Sequence, residues 1–194
     1  MEAETLQMTM SMNNGTSHRG ADRDGAVFTR IETPIGTLTL AAGDTGLRMV
    51  WFGAQTPPWA SRAAGTHHPV LNAAAAQLGE YFGGTRTVFD LPLDVRGPYF
   101  QRKAWLALST IPYGSTVSYG EQARRIGYPG AARAVGAANA RNPLPVILPC
   151  HRVIGANGSL TGFGGGLGTK RWLLEHEMLV SSRDHTAPDP GALF

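Results

Sequence analysis

Cysteine is almost missing from this chain of 194 residues, which has one, Cys150. An intrachain disulfide is therefore impossible, and a zinc site built from several cysteines is ruled out. A free thiol of this kind belongs in a reducing compartment, so a cytoplasmic protein is expected. Long apolar runs are missing too. Apolar residues make up 42% of the chain, but no uninterrupted stretch approaches the roughly 20 residues of a membrane helix. The first 25 residues, "MEAETLQMTMSMNNGTSHRGADRDG", lack the basic start and apolar centre of a signal peptide. They read as a disordered leader. Acidic residues are scarce in one place only. Residues 101–152 hold Arg102, Lys103, Arg124, Arg125, Arg133, Arg141 and Arg152 against the single Glu121, whereas residues 1–100 carry seven Arg and nine Asp or Glu. A basic block inside folded sequence suits a polyanionic partner, although a solvated basic face has the same composition.

What is present divides the chain in two. From Val27 to Phe52 short alternating runs are separated by "TPIG" and "AGDTG", which predicts three antiparallel strands. Residues 53–68 read as a loop. "PVLNAAAAQLGEYFGG" (69–84) has helical apolar spacing and stops at Gly83-Gly84. "TVFDLPLDV" follows as a strand or extended segment. The second unit opens near Gly97 with an amphipathic helix over 98–112. Two short helices, 118–127 and 131–141, flank "YPG" in a helix-turn-helix pattern. An extended apolar run broken by Pro143, Pro145 and Pro149 leads to "PCHRVIG". A glycine-rich loop and a helix over 170–180 close the unit, and the polar tail from Ser181 is expected to fray. The fold class is thus α+β: a small N-terminal antiparallel sheet with a helix, then a mostly helical C-terminal domain. The divisions are 1–25 leader, 26–96 N-terminal domain, 97–180 C-terminal domain and 181–194 tail.

The second helix of the pair, "ARAVGAANA" from Ala132, is unusual in being nearly all methyl groups, with one cationic arm, Arg133. Major-groove readers offer several polar side chains to base edges. This helix offers almost none and better suits a tight groove with Arg133 inserted into it. An Ala-rich helix packed on a neighbour, with its arginine at the rim, has the same composition, so both readings stand.

Cys150 is followed by His151 and Arg152. A nearby cation lowers a thiol pKa, but successive side chains of an extended strand point to opposite faces. Cys150 and His151 can pair directly only if the backbone bends, or else through a water. A carboxylate would complete a Cys–His–acid relay. Glu177, four residues after Leu173 and three after Leu174, falls on the buried face of the closing helix, whereas Glu175 falls off it. The alternative places Glu177 at the helix rim, paired with an arginine. "GFGGGLGTK" fails the phosphate-loop pattern because Thr169 separates Gly168 from Lys170. Its glycines instead suit a close approach of backbone to a ligand.

"PCHRVIG", preceded by "ARAVGAANARNPLPVILP" and followed by the glycine loop and "WLLEHE", resembles the O6-alkylguanine-DNA alkyltransferases. "FQRKAWLALSTIPYGSTVSYGEQA" matches the stretch that leads into the helix pair. The likeness is strong over 97–178 and looser over 27–96. It implies irreversible transfer of a methyl or other alkyl group from O6 of guanine, and also from O4 of thymine, to Cys150, with no cofactor and no metal. It further implies His151 as base through a water, Glu177 as its orienter and Asn142 as support for the cysteine segment. Tyr119 would contact guanine N3 and help protonate the leaving base, while Arg133 fills the gap left by the flipped nucleotide. DNA contacts would also come from Ala132, Ala134, Gly136, Arg141 and Arg124. The substrate pocket would be formed by Val153, Phe163, Gly164 and Pro145, with main chain at Cys150 and Val153 accepting from the guanine amino group and the Gly164 amide donating to O6. The implied partner is double-stranded DNA held through its minor groove by a monomer, with no membrane involved. Phe163 departs from the tyrosine common in relatives, which removes a hydroxyl from the pocket wall. Two other readings remain: a non-catalytic helix-turn-helix binder with a structural Cys150, and a cysteine hydrolase with a Cys–His–Glu relay.

Overall fold

A computed structural model describes residues 26–54, 62–63 and 68–184 of the chain. The leader 1–25 and the tail beyond Asp184 lie outside the described residues. Strands β1 (Val27–Thr33), β2 (Gly36–Gly43) and β3 (Gly46–Phe52) form the expected antiparallel meander. The tight turns fall where "TPIG" and "GDTG" place them. Within the stretch read as a loop, β4 (Arg62–Ala63) adds to the outer edge of β1 in parallel, giving the order β3-β2-β1-β4. Thr39 in β2 is fully buried, and its hydroxyl donates to the Gly53 carbonyl at 2.8 Å. A buried hydroxyl is tolerated when it finds such a partner.

Helix α1 (Pro69–Phe82) covers the sheet with Leu71, Ala74, Leu78 and Tyr81. Proline at its first position and Gly83-Gly84 at its end bound it as the sequence predicts, with Gly84 at a φ of 74°. The segment after it is extended and makes a single parallel bridge, Leu47 to Leu93. The exposed edge of β3 is thereby occupied: Leu47 N–H donates to the Pro92 carbonyl at 2.7 Å, and Val50 N–H to the Pro143 carbonyl at 2.8 Å. An edge strand satisfied in this way offers no template for further pairing. It also fastens the sheet to the segment leading into Cys150.

Helix α2 (Tyr99–Ala107) passes into a 310 turn at Leu108–Thr110, short of the predicted end at Pro112. The strand β5 (Val117–Ser118) then pairs in parallel with β6 (Val153–Ile154). Helices α3 (Tyr119–Arg125) and α4 (Ala132–Asn139) pack on α2 through a cluster of Ala104, Ala123, Ile126, Val135 and Ala138. The packed reading of α4 holds for Val135 and Ala138, which are buried, while Arg133, Ala134 and Ala137 on its other side are exposed. The run 143–149, expected to be extended, instead folds into turns. Leu148 N–H closes on the Leu144 carbonyl at 2.7 Å, Val146 adopts a φ of 73°, and residues 144–149 are buried. The three prolines cannot donate to a ladder, which favours turns over a strand. The final helix α5 (Gly166–Asp184) is longer than predicted at both ends, and Ser181–Asp184 belong to it and not to the tail. One core joins both units, running from Leu38, Leu40 and Val50 of the sheet to Leu144, Leu148, Val153 and Leu173.

The helix pair is held by a reciprocal amide contact. Asn139 Nδ2 donates to Gln122 Oε1 at 2.7 Å, and Gln122 Nε2 donates to the Ala104 carbonyl at 3.0 Å. Both side chains are buried. Asn139→Ala strands the Gln122 oxygen, and urea denaturation should show a loss of about 1–3 kcal/mol.

Candidate active site

The site is assembled around Glu177, which has no exposure to solvent. It lies on the buried face of α5 as predicted, and Glu175 is exposed. The alternative of an arginine partner also holds, but in the interior and not at the rim. Five donors converge on the carboxylate. Oε1 accepts from Tyr81 Oη at 2.7 Å, His151 Nε2 at 2.7 Å and Arg152 Nη2 at 3.0 Å. Oε2 accepts from Arg152 Nε at 2.9 Å and the Gly114 amide at 3.0 Å. Gly114 reaches this position with a φ of 71°, a conformation that side chains disfavour. Burial alone would raise the Glu177 pKa, but the hydrogen bonds and positive charge beside it hold the carboxyl well below the usual range.

Backbone bending places these groups. Cys150–Arg152 form a 310 turn, so His151 and Arg152 both turn inward. Since the Glu177 carboxylate can only accept, His151 Nε2 carries the proton. Nδ1 is then the unprotonated nitrogen, and it is buried with no protein partner. Burial lowers the His151 pKa, with Glu177 opposing and Arg152 and Lys170 reinforcing the shift, so the ring is neutral near pH 7. Its basic atom is Nδ1.

Cys150 is buried, with 6% of the residue exposed. Burial pushes its pKa up, against the opposing effects of the Asn142 side chain and the Lys170 charge. At rest it is a thiol. Asn142 ties the turn together, donating to the Leu148 carbonyl at 2.7 Å and accepting from Leu144 N–H at 3.0 Å. Phe163 stands edge-on to His151 at 6.4 Å and to Phe52 of β3 at 5.4 Å. The glycine whose small size is structurally required is Gly165, not Gly164. A Cβ on Gly165 would lie 2.8 Å from the Phe52 ring, whereas one on Gly164 would be 3.9 Å away. Pro145 and Val153 are buried beside the cysteine segment.

A groove of about 500 Å³ lies alongside, lined in part by Tyr119, Ala132, Arg133, Gly136 and Thr161. Tyr119 Oη donates to the Thr161 carbonyl at 3.1 Å. Arg133 is exposed at the start of α4. Arg141 caps the Ala137 carbonyl at 3.1 Å, and Arg124 pairs with Glu121. Arg152, counted in the basic block by sequence, is spent in the interior on Glu177.

Sequence reasoning missed three participants. Tyr81 comes from the other unit, and no local pattern marks it. Arg152 counts toward the basic block by composition, which does not distinguish a surface cation from an interior one. Lys170 is completely buried, donating to the Val153 carbonyl at 2.7 Å and the Thr161 carbonyl at 2.9 Å. Its signal was available: Lys170, Leu173, Glu177 and Val180 share one helical stripe. Among the described residues no group of three or more His, Cys, Asp or Glu side chains could hold a metal ion.

These features define a protein of two joined units in which a single buried thiol, backed by a histidine–carboxylate pair, adjoins a pair of short helices. Family models agree on both units. Residues 26–95 match the ribonuclease-like domain of 6-O-methylguanine DNA methyltransferase, and residues 99–179 match its DNA binding domain. The chain belongs to the methylated-DNA–protein-cysteine methyltransferase family, whose members repair alkylated DNA by transferring the alkyl group to a cysteine. It is 55% identical to the methyltransferase of Mycolicibacterium paratuberculosis, over 77% of this chain and 91% of that one. With that of Mycobacterium tuberculosis strain H37Rv it shares 51%, over 84% and 98%. The crystal structure of Mycobacterium tuberculosis OGT in complex with DNA superposes with a TM-score of 0.72 at 50% identity, covering 79% of this chain and 93% of that one.

The pKa shifts fix how stability depends on pH. His151 and Glu177 are depressed, from ordinary values of 6.5 and 4.5, so each contributes stability that is lost as pH falls below those values. Cys150 is raised above 9.0, so its contribution is lost as pH rises beyond that point. Chemical denaturation should show stability falling as pH drops below about 7, while at alkaline pH the raised Cys150 and the lowered Lys170 act in opposite directions. Stability that stays flat from pH 7 down to 5 would contradict a buried neutral His151.

Proposed function

We propose that Cys150 is the alkyl acceptor and is consumed in the reaction. The observation that carries this reading is simple: the family moves the alkyl group to a cysteine, and this chain contains one. In this reading His151 Nδ1 takes the thiol proton through a water, while Glu177 keeps the proton on Nε2. The thiolate attacks the alkyl carbon, the S–C bond forms, and the bond to guanine O6 breaks with its electron pair passing to the base. Tyr119 assists that departure by donating toward N3. The Cys150 and Val153 carbonyls meet the guanine amino group, and the Gly164 amide meets O6. The product is a thioether, which nothing in the site reverses. Thymine O4 presents the same kind of alkyl oxygen and is the second substrate.

Double-stranded DNA is the partner, a reading supported by the DNA complex of the Mycobacterium tuberculosis relative. An alkyl group on O6 lies within the base stack, so the nucleotide must be flipped out at a cost of a few kcal/mol. The α3–turn–α4 pair serves as the helix-turn-helix, with α4 in the minor groove. Ala132, Ala134 and Gly136 allow close approach there, Arg133 fills the gap, and Arg124 and Arg141 meet phosphates. The division at 96/97 separates an N-terminal supporting domain from the DNA-binding one. The protein acts as a monomer in the cytoplasm. No helix among the described residues is long and apolar enough to cross a membrane.

Mass spectrometry after incubation with O6-methylguanine DNA should find one methyl group per chain, on the peptide carrying Cys150. An unmodified thiol alongside intact lesion would refute the assignment. Arg133→Ala should slow repair of duplex DNA by about tenfold or more while leaving reaction with free O6-benzylguanine within about twofold, because only the duplex requires flipping. Equal losses on both substrates would remove Arg133 from that role.

A further inference from the structure

We propose that Tyr81, supplied by the helix of the N-terminal domain, is a positioning residue for alkyl transfer, acting on His151 through the Glu177 oxygen that both residues share. The proposal rests on the reading of Cys150 as acceptor and His151 as its base.

Tyr81 and Glu177 are 96 residues apart in sequence, yet the phenol donates to Oε1 at 2.7 Å, the same length as the His151 Nε2 bond to that atom. The ring is completely buried. Burial and the adjacent carboxylate both push its pKa upward, so the hydroxyl stays protonated and always donates. A second contact fixes the same place from the main chain. His176, next to Glu177, bonds through Nε2 to the Tyr81 carbonyl at 2.8 Å, with its ring stacked on Trp172 at 5.0 Å. The end of α1 is thus pinned twice to the turn of α5 that carries the relay carboxylate.

Two consequences follow for the imidazole. First, Oε1 is held in line with Nε2, which keeps the Nε2–H tautomer and the basic Nδ1 in place. Second, the phenol withdraws charge from the oxygen that faces His151, which moderates the pull of the carboxylate on the ring proton. The other titratable or charged groups around this cluster are Arg152 and Cys150 on the 310 turn, Tyr113 before β5, and Lys170 and His176 on α5. Of all these, only Tyr81 belongs to the N-terminal domain and donates to the shared oxygen.

Tyr81→Phe keeps the ring among Phe82, Phe89 and Tyr113, where the centroids lie 5.3–5.9 Å away, and deletes only the donor. The test is the single-turnover rate of the full chain with O6-benzylguanine between pH 5 and 9, with unfolding followed in parallel. Losing a donor makes the carboxylate a stronger acceptor and His151 easier to protonate. The acid limb of the rate profile should therefore move upward by about half a pH unit or more. Placing 3-fluorotyrosine at position 81 strengthens the donor and should move the limb the opposite way without disturbing the packing. Profiles of both variants that superpose on that of the unaltered protein would overturn the proposal and leave Cys150 as acceptor untouched. An unaltered protein that takes up no benzyl group would overturn the acceptor reading itself.

Discussion

A carboxylate removed from water must be compensated by donors, and Glu177 collects five of them from the end of α1, the Gly114 turn and the 310 turn after Pro149. That requirement organises the protein. It holds the sheet-bearing unit against α5, bends the backbone at Cys150 so that His151 and Arg152 face inward, and fixes which imidazole nitrogen carries hydrogen. An isolated buried charge would be costly, and removing one partner of such a cluster is strongly destabilising. The cluster is therefore a folding constraint as well as a chemical device. The arginine has a particular effect. By neutralising Glu177, Arg152 leaves His151 as an uncharged base and not as one half of a fixed ion pair.

The thiol fits the same logic. A cysteine kept reactive by nearby cations would be open to any electrophile, whereas Cys150 is buried and protonated until a base is called on. Reactivity then depends on a substrate reaching the site and on Nδ1 accepting the proton. In the proposed role of an acceptor used once, such guarding of the thiol matters more than speed. The glycine-rich loop belongs to this arrangement through Gly165, which leaves room for the Phe52 ring of the sheet to approach closely and brace Phe163 edge-on. Lys170 ties that loop to β6 from beneath.

Much of this was legible in the chain. The three strands, α1 with its proline start and glycine end, and the short helix pair follow from period and punctuation, which are local. Glu177 was legible as a candidate because its spacing from Leu173 and Leu174 puts it on the inward face of the closing helix, although the same spacing allowed a place at the rim paired with an arginine. The partners themselves were not. Tyr81 is brought to Glu177 by tertiary packing across 96 residues, and nothing in "GEYFGG" distinguishes its hydroxyl from that of a surface tyrosine. Arg152 was counted in the basic block because charge counting cannot see an interior ion pair. The turns of 143–149 were missed because an apolar run with prolines can be an edge strand or a buried turn, and only packing against the sheet, with Val50 N–H bonded to the Pro143 carbonyl, selects the turn. Lys170 could have been found from its stripe, had a lysine been considered for the core.

The central claim is that Glu177 fixes the neutral His151 ring as the Nε2–H tautomer with Nδ1 free to take the Cys150 proton. Long-range proton–nitrogen correlation spectra of the nitrogen-15-labelled protein at neutral pH measure this directly. The account predicts a protonated, pyrrole-type signal at Nε2 and an unprotonated, pyridine-type signal at Nδ1 of His151. A proton on Nδ1, or an imidazolium with both nitrogens protonated, would contradict it.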